Sequence, residues 1–410
     1  MKKGNWIIRQ IYLLLLCLTL SGCAGEAFLQ EIPRDMGIGS GEEKPAVSAE
    51  EPESVTPKER EISFLWDMPD GYAYSCLNEA EQIWYRDMEA ILGSHLEEKA
   101  LSGEGLEAGL DDTDIDYIFQ CVLNDHPELF YIDGYSYTKY TEGDSITDIA
   151  FSGTYNVDLE TAMEKQRLIE EGAAAILAGI SENASEYDRV KYVYDTLILE
   201  TDYDLEAEDN QNIYSVFVNH ASVCQGYAKA AQYLLNRLGV NCTLVLGTVY
   251  TGEGHAWNLV EIDGAYYYMD ATWGDASYQM EEGMDEQKAR PEINYDYLNV
   301  TTEDLCRTHT IDSGIPMPYC DAVAANYYLR EGALFSEYDR EQMRALFERM
   351  GEDRTDITIK CTNEACYQEI YTALIEGQEI FQYMKAAGDS VAYAQNDKQL
   401  SLTFWVTNEM

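Results

Sequence analysis

The dipeptide Asp263-Gly264 lies between two segments, 255–262 and 265–270, whose residues favour β-structure. Asp-Gly suits a two-residue hairpin turn because both of its positions accept positive φ angles. Such a turn pairs Ile262 with Ala265 and thereby sets the register of both strands. The sequence therefore predicts an antiparallel hairpin, and this constrains the fold more strongly than any other short feature.

The predicted register brings two polar residues of the hairpin together. Counting back from the turn sets Trp257 opposite Asp270 and His255 opposite Thr272. His255 and Asp270 then share a face as diagonal neighbours, roughly 7 Å apart between Cβ atoms. A hydrogen bond from the imidazole to the carboxylate can span that separation.

A cysteine stands at the predicted start of a helix upstream of the hairpin. Ser222 and Gln225 have the spacing of a capping box, which predicts Ser222 as the N-cap and Cys224 in the first turn. Free backbone N–H groups at a helix start favour a thiolate there. Gly239 is expected to end the helix. The helical apolar spacing comes from Tyr227, Ala230, Ala231, Leu234, Leu235 and Leu238.

Cys224, His255 and Asp270 together suit thiol catalysis, which needs a nucleophile, a base and a group that orients the base. Taken singly, a cysteine is most often a small buried hydrophobe, and a histidine at a strand end is most often structural. The combination of a helix start with a hairpin that pairs His and Asp favours a catalytic triad.

Three segments also resemble the signature segments of the bacterial transglutaminase-like superfamily: Cys224-Gln225-Gly226-Tyr227-Ala228, His255-Ala256-Trp257-Asn258 and Asp270-Ala271-Thr272-Trp273. The resemblance extends from about Ser185 to His309. It implies an α+β, papain-like core in which Cys224 is the nucleophile, His255 the general base and acid, and Asp270 its orienter. The superfamily includes acyl transferases, peptidases, amidases and inactive members.

The function expected from these segments is cleavage or transfer of amide acyl groups through a thioester on Cys224, with protease-like hydrolysis slightly favoured. A non-catalytic module that binds protein or cell-wall polymer is the alternative. Gln211 and Asn219 are candidates for the oxyanion donor. Trp257 and Trp273 are candidates for shielding the site from water, although strand tryptophans commonly only pack.

The N-terminus has the pattern of an export signal. Lys2, Lys3 and Arg9 accompany a short apolar run, and small residues follow. Leu20-Ser21-Gly22-Cys23 resembles a bacterial lipobox, which implies cleavage before Cys23 and lipidation of that residue. An uncleaved N-terminal anchor is the alternative. Both interpretations place the protein outside the cytoplasm. Cleavage and lipidation at Cys23 would attach it to the membrane by lipid.

The charge of the chain limits its partners. There are 75 Asp and Glu residues against 27 Lys and Arg, a net charge of -48. Such a surface repels nucleic acid and anionic headgroups, so no nucleic-acid partner is expected. The expected partner is a protein or peptide substrate, including one associated with the cell wall.

No cofactor and no metal are expected. Cys361 and Cys366 lack the second cysteine pair or nearby histidines of a zinc site. Cys17 is assigned to the signal, Cys23 to lipidation and Cys224 to catalysis. Seven cysteines remain, and an odd number cannot all pair within one chain.

The chain is expected to divide into five parts. They are a signal peptide (1–22), a lipidated flexible linker (23–60), an N-terminal α+β region (61–157), a transglutaminase-like catalytic domain (158–318) and a small C-terminal α+β appendage (319–410).

Overall fold

The computed structural model describes residues 39–45, 63–65, 70–275, 292–350, 356–384 and 391–406. The expected signal peptide and Cys23 lie outside these residues. Within the described parts of the chain, no helix has the length and apolar character needed to span a membrane.

The N-terminal region combines helices with a sheet in the order β1-β3-β4-β2. Its elements are β1 (Gly39–Pro45), α1 (Tyr72–Cys76), α2 (Glu79–Gly93), β2 (Lys99–Ala100), α3 (Gly103–Glu107), α4 (Ile115–Asp125), β3 (Ile132–Glu142) and β4 (Ser145–Tyr155). Strand β1 runs parallel to β3. The expectation of an irregular linker is therefore wrong for these seven residues, because an open edge of β3 can accept a further strand.

The central part contains a sheet in the order β10-β7-β8-β9, with helix α7 packed against β7 and β8. Its elements are α5 (Leu159–Leu177), α6 (Glu186–Glu200), β5 (Asp202–Tyr203), a π-helix (Ser215–Asn219), β6 (Ala221–Ser222), α7 (Cys224–Arg237), β7 (Cys242–Val249), β8 (Gly254–Ile262), β9 (Ala265–Met269), α8 (Ala271–Gly274), a 3-10 helix (Tyr295–Tyr297), α9 (Thr302–Leu305) and β10 (His309–Ile311).

The C-terminal module, residues 327–406, has a sheet in the order β11-β12-β14-β13. Its elements are α10 (Tyr327–Arg330), β11 (Leu334–Phe335), α11 (Arg340–Met350), β12 (Asp356–Cys361), α12 (Glu364–Tyr371), a π-helix (Thr372–Glu376), α13 (Ile380–Tyr383), β13 (Val391–Asn396) and β14 (Ser401–Val406). The whole chain is thus α+β, as predicted. Leu92, Leu234 and Phe404, one from each part, belong to a single buried apolar cluster, so the parts share a core.

The predicted hairpin is confirmed near its turn and wrong at its far end. Asp263 and Gly264 have φ angles of 52° and 78°, and Ile262 pairs with Ala265. The pairing continues to Asn258 and Met269, where β9 ends. Residues 271–274 turn into α8 instead of continuing the strand, so the predicted pairing of 255 with 272 does not form. Helix α8 is stabilised by the Asp270 side chain, which caps its N-terminus. Strand propensity alone does not reveal this cap.

The predicted capping box at the start of α7 is also wrong. Val223 is the N-cap and makes no side-chain cap. The Ser222 hydroxyl lies 2.7 Å from the carbonyl oxygen of Asn210 and 2.7 Å from the Ser215 hydroxyl. These polar groups from the preceding segment hold the serine side chain away from the helix. Cys224 is nevertheless the first residue of the helix, as predicted.

Candidate active site

Cys224 lies at the N-terminus of α7 and is 3% exposed. It packs against three small or apolar residues, Ala228, Leu244 and Ala256, which come from the helix and from strands β7 and β8. The first backbone N–H groups of a helix have no partner within the helix. The thiol is therefore held beside free N–H donors by a rigid helix that packs on the sheet.

His255 on β8 connects the thiol to a carboxylate. Its Nε2 atom lies 2.7 Å from Oδ2 of Asp270, and both side chains are buried. The expected hydrogen bond between these residues is confirmed. Burial acts to lower the pKa of His255, but the charge of Asp270 and the neighbouring Cys224 outweigh it and raise that pKa to about 10.

Asp270 is held on both of its oxygen atoms and by its backbone. Oδ1 accepts a hydrogen bond from the backbone N–H of Trp273 at 3.1 Å, and the Asp270 N–H donates to the carbonyl of Tyr297 at 3.0 Å. Burial favours the neutral carboxyl group. The contacts with His255 and His309 outweigh burial and hold the pKa of Asp270 well below its usual range.

His309 is a fourth residue of this group that the sequence reasoning missed. Its Nε2 atom lies 3.0 Å from Oδ2 of Asp270, and it is 3% exposed. It stands on the three-residue strand β10, which pairs with β7. His309 is one of five histidines in the chain, and no local sequence pattern marks it. Its position beside Asp270 depends on the long-range pairing of β10 with β7.

Aromatic rings surround the imidazoles. Trp257 lies 5.9 Å from the His255 ring and 5.0 Å from the His309 ring, between centroids. Trp273 lies 6.0 Å and 4.8 Å from the same two rings, and its other side meets Tyr250 at 6.0 Å. Trp257 is fully buried, whereas Tyr250 is 60% exposed. The two tryptophans thus separate the histidines from solvent on this side.

The two candidate oxyanion side chains lie in the segment before β6. Asn219 is exposed, and its amide donates to the carbonyl of Glu208 at 3.1 Å. That bond engages the Asn219 amide in local loop structure. Gln211 is half-buried in the turn before the π-helix. The roles of both residues remain predictions.

His255, Asp270 and His309 also offer three ligand atoms within 4.8 Å of one another, the one such group in the described parts of the chain. Two imidazoles and a carboxylate are a suitable donor set for a divalent transition metal. The separations of 2.7 Å and 3.0 Å are hydrogen-bond distances. The expectation that no metal is needed stays a prediction.

A thiol at a helix start, an imidazole beside it and a carboxylate on the far side of the imidazole define a site of the cysteine-protease and transglutaminase type. Residues 174–271 match the model of the transglutaminase-like superfamily. The chain therefore carries a transglutaminase-like domain, and the matched residues include Cys224, His255 and Asp270 but not His309.

Similar proteins cover only part of the chain or match it at low identity. Kyphoscoliosis peptidase of Mus musculus is 25% identical over 130 residues, which are 28% of this chain and 20% of the mouse protein. The crystal structure of a TGase overlaps 39% of this chain and 56% of its own, with 17% identity and a TM-score of 0.26. A candidate cysteine protease from Cytophaga hutchinsonii overlaps 33% and 61%, with 12% identity and a TM-score of 0.23. The chain thus spans less than two thirds of each.

Proposed function

We propose that the protein is a cysteine enzyme that cleaves or transfers acyl groups of protein or peptide amides through a thioester. The observation that carries the proposal is the 2.7 Å hydrogen bond between His255 Nε2 and Asp270 Oδ2. It uses one imidazole nitrogen and leaves Nδ1 for the Cys224 thiol, whose proximity contributes to the raised pKa of His255. A thiol-dependent triad requires this arrangement, in which one imidazole nitrogen binds the carboxylate and the other faces the thiol.

The reaction begins with the Cys224 proton already on His255 Nδ1, because the raised pKa of the imidazole, about 10, keeps it protonated near neutral pH. The thiolate attacks the amide carbonyl carbon and forms a C–S bond. The C–N bond then breaks as the imidazolium returns its proton to the leaving amine. Water, deprotonated by His255, attacks the thioester, releases the carboxylic acid and restores the thiol. An amine in place of water gives transamidation.

The start of α7 supports this chemistry electrostatically. The helix has 14 residues, and its N-terminal N–H groups and dipole stabilise negative charge near Cys224. The same groups serve as donors to the oxyanion of the tetrahedral intermediate. Asp270 compensates the positive charge that His255 gains.

Tyr250 is the exposed end of the ring contacts that run through Trp273 to His255. Lys398 of the C-terminal module lies over the Tyr250 ring, with its Nζ 2.9 Å from the ring centroid. The turn at residues 250–253 and this lysine therefore lie on the solvent side of the rings that cover the histidines.

Thiol reactivity tests the catalytic role directly. Iodoacetamide near neutral pH is expected to modify Cys224 faster than Cys306, although Cys306 is exposed. Cys242 is the matched buried control, because burial raises its pKa well above the usual value. His255→Ala should slow alkylation of Cys224 and leave that of Cys306 unchanged. Equal labelling of Cys224 and Cys242, or no effect of His255→Ala, would remove the triad from the proposal.

Hydrolysis is favoured over transfer because the mouse relative is named a peptidase. Capture of the acyl-enzyme with an electrophilic peptide probe, followed by addition of a labelled primary amine, distinguishes the two. Release of free acid in ¹⁸O-water with no amine incorporation is expected. Preferential incorporation of the amine would assign transamidation.

A non-catalytic binding module remains the second candidate, and the observation that favours it is the burial of Cys224 at 3% exposure. Retention of thiol, imidazole and carboxylate has no use in binding alone. The Cys224→Ala variant separates the two functions. It should lose all turnover while still retaining substrate, whereas unchanged biological activity in this variant would support binding.

We further propose that the protein is a lipoprotein outside the cytoplasm, anchored through Cys23. The support is the basic start, the short apolar run and Leu20-Ser21-Gly22-Cys23. The acidic chain has no polybasic patch near the anchor, so attachment rests on acyl chains. Mass spectrometry of the native N-terminus should find an acylated Cys23, and an unmodified N-terminus elsewhere would refute lipidation.

A further inference from the structure

One oxygen atom of Asp270 is shared by two histidines. Oδ2 lies 2.7 Å from His255 Nε2 and 3.0 Å from His309 Nε2, while Oδ1 accepts the N–H of Trp273. An ionised carboxylate only accepts hydrogen bonds, so each imidazole must carry a proton on Nε2. The proton on Nε2 of each ring is thus assigned from its hydrogen-bond partner.

The other nitrogen of His309 is also engaged. Nδ1 lies 2.8 Å from the hydroxyl of Thr308, and that hydroxyl accepts the side-chain amide N–H of Gln399 at 3.3 Å. The single hydroxyl proton of Thr308 can point to His309 Nδ1, to the carbonyl of Leu305, which is 3.4 Å away, or to the Tyr297 hydroxyl. The shorter contact directs it to His309. The relay therefore runs in one direction, from Gln399 through Thr308 and His309 to Asp270.

This relay leaves His309 uncharged. Burial lowers the pKa of His309, and the neighbouring His255 cation acts in the same direction, while Asp270 and the carbonyl of Leu305 oppose them without cancelling the effect. A neutral His309 adds a hydrogen bond to Asp270 and takes none of its charge. The negative charge stays available to the His255 imidazolium.

Gln399 belongs to the C-terminal module, in the turn between β13 and β14, and is fully buried. Lys360 of β12 donates to its Oε1 at 3.0 Å, and its Nε2 also donates to the carbonyl of Asp304 at 3.1 Å. The amide orientation of Gln399 is thus determined by a cation on one side and a carbonyl on the other. Its NH₂ group therefore points toward Thr308 and Asp304.

The same module contacts Asp270 by a second route. Asp296 accepts hydrogen bonds from Ser401 at 2.6 Å and from Asn396 at 3.1 Å. The next residue, Tyr297, accepts the backbone N–H of Asp270 at 3.0 Å. Both the side chain and the backbone of Asp270 are therefore reached by polar contacts that begin in the C-terminal module.

We propose that His309 is a positioning residue that acts through Asp270 on His255, and that Gln399 of the C-terminal module fixes its tautomer through Thr308. The effect of His309 on catalysis in this proposal rests on the proposed function. The orientation of His255 by the relay is a property that is measured without any substrate.

Nuclear magnetic resonance of ¹⁵N-histidine protein provides the test, since the chain has five histidines. In the wild type, both His255 and His309 should show a hydrogen-bonded Nε2–H, and His309 should keep an unprotonated Nδ1. In His309→Phe the titration of His255 should move to higher pH, because Oδ2 of Asp270 loses a competing donor and its negative charge then acts on the His255 imidazolium alone. His309→Gln, whose amide N–H replaces the donor, should restore most of the wild-type titration.

Variants of the C-terminal module test the other half of the relay. Gln399→Leu should weaken the His309 Nε2–H signal and shift the His255 titration in the same direction as His309→Phe. Gln368→Leu is the matched control, because Gln368 is exposed on α12 of the same module. Melting curves accompany each variant, and only variants that are folded at the working temperature are compared.

Several results would overturn the proposal. They are a His255 titration that stays in place or moves to lower pH in folded His309→Phe, a protonated Nδ1 on His309, and an unchanged spectrum in Gln399→Leu. A stoichiometric metal removable by chelator would overturn it as well, since the three side chains would then be ligands. An unreactive Cys224 with the expected titration shifts would instead refute the proposed function and leave the positioning role supported.

Alkylation of Cys224 supplies the link to catalysis. The rate in His309→Phe should fall about tenfold at neutral pH, the effect of one lost hydrogen bond to a charged group, and recover in His309→Gln. An equal loss in both variants would show that the hydrogen bond from residue 309 to Asp270 does not account for the reactivity of Cys224.

Discussion

The Asn258 side chain donates a hydrogen bond from Nδ2 to the carbonyl oxygen of Ala228, at 2.8 Å. Asn258 lies on the strand that carries His255, and Ala228 lies one turn after Cys224 on α7. The bond is fully buried and joins the two elements that bear the proposed base and nucleophile. The separation between thiol and imidazole therefore depends on this contact as well as on packing.

Asn258→Leu is expected to lower the free energy of unfolding by about 1–3 kcal/mol, the range for a buried hydrogen bond lost. It should also slow alkylation of Cys224, because the strand and helix lose their polar link. Asn241→Leu is the matched control, since the Asn241 amide binds Glu261 at the exposed end of the same sheet. Denaturant unfolding and alkylation rates measure both effects. A similar loss in the two variants would contradict a specific role for Asn258.

Asp270→Asn is expected to reduce turnover by about three to four orders of magnitude while the fold is kept. Three donors converge on the carboxylate, from His255, His309 and the Trp273 N–H. An amide offers one oxygen, so its NH₂ group must face at least one of these donors. The rate of hydrolysis of the acyl-enzyme and the melting temperature of the variant should be measured together. Retained turnover in the folded variant would remove Asp270 from the mechanism.

Gly247→Ala is expected to disturb the site through strand β10. A Cβ atom at 247 would lie 2.1 Å from the carbonyl oxygen of Thr310 and 2.6 Å from Cη2 of Trp257. The backbone of β10 must then move, and His309 moves with it. A loss of about 1–3 kcal/mol is expected from overpacking, together with slower Cys224 alkylation. Gly314→Ala is the control, because nothing lies within 4 Å of its added Cβ.

A further histidine, His126, is only 11% exposed and makes stability depend on pH. Burial acts to lower its pKa, but Glu128 and Glu89 outweigh it and raise that pKa to about 10. Both glutamates lie 3.0 Å from the ring nitrogens. Because the folded pKa exceeds the unfolded one, the contribution is complete below about pH 6.5 and is lost as the pH rises toward 10.

His126→Gln should therefore be less stable than the wild type by about 3–5 kcal/mol near pH 6, because it leaves the carboxylates of Glu89 and Glu128 close together without the cation between them. The difference in unfolding free energy between the two proteins should shrink steadily between pH 7 and pH 10. Denaturant titrations at several pH values measure it. A difference that is constant over this range would show that His126 is not a charged partner of the glutamates.

Local sequence was sufficient wherever neighbouring residues decide the conformation. The Asp263-Gly264 turn and its first pairs follow from the φ angles those residues accept, and Cys224 begins its helix as predicted. The hydrogen bond between His255 and Asp270 was also predictable, because both lie on one hairpin. The resemblance at three short segments pointed to the same residues.

Tertiary structure decided what distant segments contribute. The Ser222 side chain binds groups of the preceding segment instead of capping α7, and α8 replaces the last pairs of the hairpin. His309 reaches Asp270 only because β10 pairs with β7, and Gln399 reaches His309 from the last hairpin of the chain. Hydrogen bonds between residues far apart in sequence depend on the packing of whole elements. No local pattern encodes that packing, so the triad was predictable while the second histidine that supports it was not.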